Sequence, residues 1–283
     1  MRWEELTGQD FAQAVKDTGL CIVPVGSLEY HGPHLPLVTD ALNAHTVAVL
    51  AAEREPAVVF PPYYFGQLNC SRHFPGTVAI EQRLQSELLA AVCDEIGRNG
   101  FRKIVLHNGH GGNSHWLRYF AQCTLHERKP YSVYVTQWLA KADRKAEIKK
   151  ICPTPGGHAD EEETSITLAT APELVKLECV PAEPGKPLRR MKHLGGTFAG
   201  IWWYADYPEH YAGDARTATA EKGKKVLEIY VQALAEVVRA IKNDQTVPGL
   251  EREFFDRVDK VTKPTQPGTQ HGKYYGAVGC VHR

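Results

Sequence analysis

"EQRLQSELLAAVCDEIGRNGFRKIVLHNGHGGNSHW", Glu81 to Trp116, holds a helix, a strand and the start of a second helix in one run. Leu84, Leu88, Leu89, Val92 and Ile96 recur at helical spacing and predict one apolar face, with Gly100 placed as a stop. "KIVLHNG" (103–109) then reads as a short buried strand ended by Asn and Gly. A further helix follows Asn113 and carries Trp116, Leu117, Phe120 and Ala121 toward the core. Outward from this run, "LCIVPVG" (20–26), "AVVFPPYYFG" (57–66) and "YSVYVTQW" (131–138) show the same strand composition. A helix from about Asp40 to Glu53 lies between the first two. Strand and helix in repetition imply βαβ units and a mostly parallel sheet covered on both faces. Ligands of such sheets sit outside the carboxyl ends of the strands.

From 217 to 243 the pattern is a long amphipathic helix, with Val226, Ile229, Tyr230, Ala233, Val237 and Ile241 apolar, that should close the domain. Beyond Val247 the sequence loses periodicity and gains Pro and Gly. Residues 1–247 are therefore expected to form the main domain, and 248–283 an extension that wraps the surface or a neighbouring subunit. With 43% hydrophobic and 23% charged residues the chain reads as an ordinary globular protein. Its 33 basic and 33 acidic residues balance, which gives no support to a nucleic-acid partner. Seven cysteines without CxxC spacing suit reduced thiols in a cytoplasm. The N-terminus "MRWEELTGQDFAQAVKD" has no apolar h-region, and no apolar run reaches the roughly 20 residues needed to span a bilayer.

Three clusters fall at strand ends or helix starts. The first is "PVGSLEYHGPHLPLVTD" (24–40), where Glu29 and His31 are two apart and so share one side of an extended chain, as two ligands of one metal cluster require. Asp40 follows a Pro-bounded turn and either returns to the same point or caps the helix after it. His34, between two prolines, reads as a solvated loop residue. The second cluster is "VLHNGHGGNSHW" (105–116), in which the glycines allow an anion loop at a helix N-terminus or hold His110 rigidly as a metal ligand. Neither GxGxxG nor GxxxxGK[ST] is present. The third is "TPGGHADEEETSITLAT" (154–170), where acidic residues in a helix's first turn favour the macrodipole. His158, Glu161 and Glu163 cannot share one helical face, so at most two of them should enter a common site.

Together "PVGSLEYHGPHLPLVTD", "HFPGT" (73–77), "NGHGGN" (108–113) and "GHADEEETS" (157–165), in this order and at these intervals, resemble the creatininase family over about residues 1–240. The resemblance implies a three-layer α/β/α sandwich, a homohexamer and a two-metal hydrolytic site. By motif position it makes Glu29 and His110 ligands of one metal, His31 a ligand of the other, and Asp40 the bridge. Creatininase carries a glutamate two residues after the metal-binding histidine, where this chain has Gly112, preceded by Gly111 in place of a tyrosine. The replacement ligand expected here is Glu163, with Glu161 as second choice. His158 matches the family's substrate-facing histidine, which binds substrate or passes a proton to the leaving group, and a free glutamate such as Glu161 could share that role. Loss of the creatininase glutamate and tyrosine weighs against creatinine as the substrate.

Mixed His and carboxylate ligation suits Zn²⁺, Mn²⁺ or Fe²⁺. A hydroxide bridging two such ions would attack a carbonyl of a small, polar, cyclic amide or related compound. His73 is expected to face the pocket. "HLGGTFAGIWWYADYPEHYAGD" (193–214) supplies walls through Trp202, Trp203 and Tyr204, unless these aromatics serve the core or a subunit interface. The competing readings are metal-assisted cleavage or isomerisation of a cyclic polyol ketone of the inosose type, and a metal-free protein that binds a phosphorylated ligand at the Gly-rich loop.

Overall fold

The computed structural model describes residues 1–136 and 142–262. In chain order the elements are α1 (Gly8–Thr18), β1 (Leu20–Val25), α2 (Thr39–Arg54), β2 (Val58–Val59), α3 (Gln82–Arg98), β3 (Lys103–Asn108) and α4 (Asn113–Cys123). They continue with β4 (Ser132–Thr136), α5 (Ala142–Ile151), β5 (Gly156–His158), α6 (Glu161–Thr170), α7 (Trp202–Asp206), β6 (Ala212–Gly213) and α8 (Ala220–Asn243). The central sheet has the order β2-β1-β3-β4, and every pairing in it is parallel. β5 and β6 form a separate antiparallel pair.

The sheet is a middle layer because its strands are apolar on both faces. Every residue of β1 and β3 is buried, as parallel strands covered on both sides require. Successive side chains point opposite ways, so Leu20, Ile22 and Val105 pack with Val47 and Ala51 of α2, Ile166 of α6, and Val226 and Leu234 of α8. Cys21, Val23, Ile104 and Leu106 pack on the other face with Leu89 and Ile96 of α3 and Leu117 and Phe120 of α4. Each fully buried Val or Leu contributes about 1.5–3 kcal/mol, so β1 and β3 are anchored from both layers. This is the expected three-layer α/β/α sandwich.

Several boundaries differ from the sequence reading. Leu84 is 54% exposed, and the buried stripe of α3 runs instead through Gln85, Leu89, Cys93 and Ile96. Gln85 is tolerated inside because its amide donates to the Phe65 carbonyl at 2.8 Å. The strand expected over 57–66 contracts to two residues, since Pro61 and Pro62 have no N–H to continue the ladder. Gln137 and Trp138, read as the end of the fourth strand, lie outside the described residues. Where periodicity was expected to end, Thr246–Thr262 forms a helix, α9, in a second compact unit that begins at Gln245. Among the described residues no helix is long and apolar enough to cross a membrane.

Candidate metal centre

The carboxyl ends of β1 and β3 lie side by side, with Val25 paired to Asn108. After β1 the chain turns at Gly26, where a Cβ would meet the Ala41 backbone nitrogen at 2.3 Å. The missing side chain lets the first turn of α2 back onto the strand end. Glu29 N–H donates to the Leu37 carbonyl at 2.9 Å and closes the loop, so Asp40 returns beside Glu29 and His31. Asp40 sits inside the first turn of α2, whose N-cap position is Val38, and its side chain caps nothing. It enters the cluster instead. From β3, the Asn108 side chain accepts the His110 N–H at 3.0 Å and fixes the start of the Gly-rich loop.

The ring contacts decide what this cluster can hold. His110 Nε2 lies 2.8 Å from the Gln67 carbonyl oxygen; a carbonyl only accepts, so Nε2 carries a proton and Nδ1 faces inward. There it meets Glu29 Oε2 at 3.1 Å and Asp40 Oδ2 at 2.8 Å. His31 Nδ1 lies 3.1 Å from the Glu29 carbonyl oxygen, which leaves Nε2 facing Asp40 Oδ1 at 3.1 Å and Glu163 Oε2 at 3.9 Å. Each ring is therefore oriented by a backbone carbonyl and aims its other nitrogen at two carboxylates, the arrangement common to metal-ligating histidines. Donor atoms around a tetrahedral ion with bonds of about 2.1 Å stand roughly 3.4 Å apart, a spacing close to these. Asp40 gives one oxygen to each group.

A proton alone fits less well. Glu29 Oε2 is fully buried and accepts no hydrogen bond of acceptable geometry, although His110 Nδ1 is near. A proton on Nδ1 can serve Asp40 but leaves Glu29 Oε2 orphaned, whereas a cation between the three atoms serves them all. The electrostatics show how strongly these groups interact: against burial, Glu29 and Asp40 raise the His110 ring well above its usual range. Although burial opposes it, the His110 ring holds the Glu29 carboxyl well below its usual range. Burial would lower His31, but Asp40, Glu163 and Glu29 outweigh it and raise the ring to about 10. Burial, with Asp160 and Asp40 adding to it and His31 opposing, pushes Glu163 up to about 8.

The third cluster divides as its helical phase requires. Asp160 caps α6, accepting from the N–H groups of Glu162 and Glu163. Glu163 turns inward, where its Oε2 accepts the Ala159 N–H at 2.6 Å. Ala159 holds a left-handed φ of 54°, unusual for a residue with a side chain. The structure does not bring Glu161 to the cluster: its buried carboxylate accepts from Lys222 Nζ at 2.5 Å, Thr217 Oγ1 at 2.9 Å and Thr154 Oγ1 at 2.6 Å. His158 does join, its ring centroid 4.2 Å from that of His31 and its Nε2 2.9 Å from the Tyr30 carbonyl oxygen. Burial and His31 lower its pKa to about 3.

The remaining candidates lie farther out. Trp202 is 45% exposed and packs on Trp203, with ring centroids 5.4 Å apart. It is Trp203 whose ring meets His158 edge-on at 5.9 Å. His73 lines an open cavity of about 630 Å³ with Cys70, Ile201 and Tyr204, and burial and the Glu29 carboxylate push the Cys70 thiol up to about 11. His34 is not solvated; it is 1% exposed and bonds Thr164 Oγ1 at 3.0 Å. The sequence reading passed over His210, which is 1% exposed with Nε2 2.7 Å from Glu29 Oε1. An isolated histidine before "YAGD" in an aperiodic stretch was its only signal.

Gly112, the position to which the resemblance assigns the creatininase glutamate, is tightly enclosed. A Cβ here would lie 2.5 Å from His110 Nε2 and 2.6 Å from the Gln67 carbonyl oxygen. Asn113 Oδ1 in turn accepts the Gln67 N–H at 2.8 Å, so the segment that orients His110 is itself fixed by the start of α4.

The creatininase (creatinine amidohydrolase) family model matches residues 4–238. The 3-dehydro-scyllo-inosose hydrolase of Thermotoga maritima is 29% identical over 266 residues, covering 84% of this chain and 83% of that protein. The creatinine amidohydrolase of Pseudomonas putida is 29% identical over 260 residues, covering 83% and 95%. A solved creatininase variant described as of the Zn-Zn type superposes with a TM-score of 0.71 at 26% identity, covering 86% of this chain and 98% of that one. The chain belongs to the creatininase family and is an enzyme of its hydrolase type.

Proposed function

We propose that this creatininase-family chain is a two-metal hydrolase that opens a small cyclic amide or a related cyclic carbonyl compound. One observation carries the reading: the two oxygens of Asp40 divide between two converging donor sets. One is His110 Nδ1 with Glu29 Oε2, and the other His31 Nε2 with Glu163 Oε2. Glu163 is the ligand that replaces the creatininase glutamate, and Zn²⁺, Mn²⁺ and Fe²⁺ all suit these donors. Such ions, when bound, would lower the pKa of a coordinated water toward neutrality and polarise a substrate carbonyl.

The chain's own groups handle the protons. With Nε2–H donated to the Tyr30 carbonyl, His158 has Nδ1 as its acceptor, and the ring is neutral near pH 7. It takes the proton of the attacking water at Nδ1 and returns it to the departing atom. The Ala159 N–H holds Glu163 in place during this exchange. His73, from the cavity wall, contacts the substrate. The main domain spans residues 1–247, with 248–283 as an extension, and the enzyme works as a homohexamer in the cytoplasm.

A second reading, cleavage of a carbon-carbon bond in a cyclic polyol ketone, is supported by the similarity to the inosose hydrolase. The decisive experiment is metal analysis of protein never exposed to chelator, beside His110→Ala and Asp40→Ala. Wild type is expected to retain about two divalent ions per chain and each variant to lose most of them; fewer than about one in wild type would sink the reading. Screening cyclic amides and inososes in ¹⁸O-labelled water separates the two substrates. Label in the product marks hydrolysis, and its absence would point to isomerisation.

A further inference from the structure

The two oxygens of Glu29 are in different situations. Oε2 faces His110 Nδ1 at 3.1 Å and accepts no hydrogen bond. Oε1 lies 2.7 Å from His210 Nε2 and 3.3 Å from Ser71 Oγ. The other nitrogen of that ring, His210 Nδ1, lies 2.7 Å from Trp203 Nε1. An indole N–H can only donate, so Nδ1 must be the acceptor. In the neutral ring the proton therefore sits on Nε2 and is donated to Glu29 Oε1.

We infer that Trp203 and His210 form a proton-bearing clamp that occupies Glu29 Oε1 and presents Oε2 alone to the metal. His210 is thus a positioning residue and not a ligand, even though its ring stands with Glu29 and His158 among donor atoms lying within 4.8 Å of one another. This inference rests on the two-metal reading. Trp203 fixes the tautomer, and the tautomer decides the role. A carboxylate free to chelate through both oxygens would fill the coordination position that water or substrate needs in a catalytic site. The clamp keeps that position open.

The chain holds the clamp in a demanding conformation. His210 has a left-handed φ of 51°, which a side-chain-bearing residue adopts at a cost. Its N–H donates to the Tyr207 carbonyl at 3.1 Å. Its ring lies 4.2 Å from that of His158 and 5.9 Å from that of Phe74, so neighbours restrain it on two sides. Trp203 also meets His158 edge-on, which couples the orientation of Glu29 to the wall of the proton-transfer histidine.

The test uses the full chain stripped of metal and reloaded with Co²⁺, read by visible absorption and by competition with a chelator. In His210→Gln the amide oxygen can accept from the indole and the amide N–H can donate to Glu29. This variant is expected to keep the wild-type spectrum and an affinity within about twofold. His210→Leu, which removes both bonds, is expected to bind Co²⁺ about 10- to 100-fold more weakly. Its absorption should also weaken as Glu29 becomes bidentate and coordination rises. Trp203→Phe removes only the indole donor and should alter the spectrum in the same direction. If folded His210→Leu and Trp203→Phe match wild type, the clamp is overturned. If His210→Gln loses as much affinity as His210→Leu, His210 is a ligand and the clamp is equally overturned. Wild type that binds no Co²⁺ would instead remove the metal reading beneath it.

Discussion

The two ends of β3 bury charge in opposite ways. At the amino end, the Lys103 ammonium is 9% exposed and donates to the carbonyls of Ile241, Lys242 and Asp244 at 2.6–2.8 Å. It thereby closes the C-terminus of α8, where the macrodipole favours a cation. At the carboxyl end, beyond Asn108, Glu29, Asp40 and Glu163 face two histidine nitrogens, and one buried carboxylate oxygen accepts no hydrogen bond. The first end is satisfied by the chain's own atoms and serves stability. The second gathers negative charge that the chain's own donors do not fully satisfy, which is how a fold reserves a place for a cation.

The largest expected effect tests the satisfied end. Lys103→Met strands three carbonyl groups and should lower unfolding free energy by about 3 kcal/mol, measured by denaturant titration, while metal content stays at the wild-type level. A drop in metal content would mean that the two ends are not independent. The next effect belongs to the other end. His31 carries its proton up to about pH 10 in metal-free protein, so an incoming ion must displace it. Affinity should rise about tenfold per pH unit for each proton released, as read by chelator competition between pH 6 and 8.

The same proton stabilises the metal-free fold below the unfolded histidine pKa of 6.5 and is lost as pH rises through about 10. Metal-free protein should therefore lose thermal stability across that window relative to metal-loaded protein. Parallel melting curves for the two forms would contradict this. The smallest effects separate two glutamates of one helical turn. Glu163→Gln should weaken metal binding by about tenfold with little change in melting. Glu161→Gln should cost about 1–2 kcal/mol of stability and leave metal content at the wild-type level.

Most of the sheet was legible because β1 and β3 are unbroken apolar runs, and the creatininase motifs marked Glu29, His31, Asp40 and His110. The choice between Glu163 and Glu161 was not. Both stand in the first turn of α6, and what claims Glu161 is Lys222, 61 positions away. His34 was misread because flanking prolines suggest a solvated turn, while its actual partner, Thr164, lies 130 positions on. His210 was beyond reach for the same reason, with its carboxylate partner 181 positions away and its backbone in a left-handed conformation that no local pattern announces. Periodicity reports which face of an element is buried. It does not report which distant side chain arrives there.

The missing side chain at position 112 bears on engineering. Any side chain there would collide with the His110–Gln67 contact, so a glutamate cannot be placed at 112 by one substitution without first rebuilding the 65–68 segment. Redesign of the site toward a loop-borne carboxylate must therefore begin at the backbone that carries the Gln67 carbonyl, not at position 112.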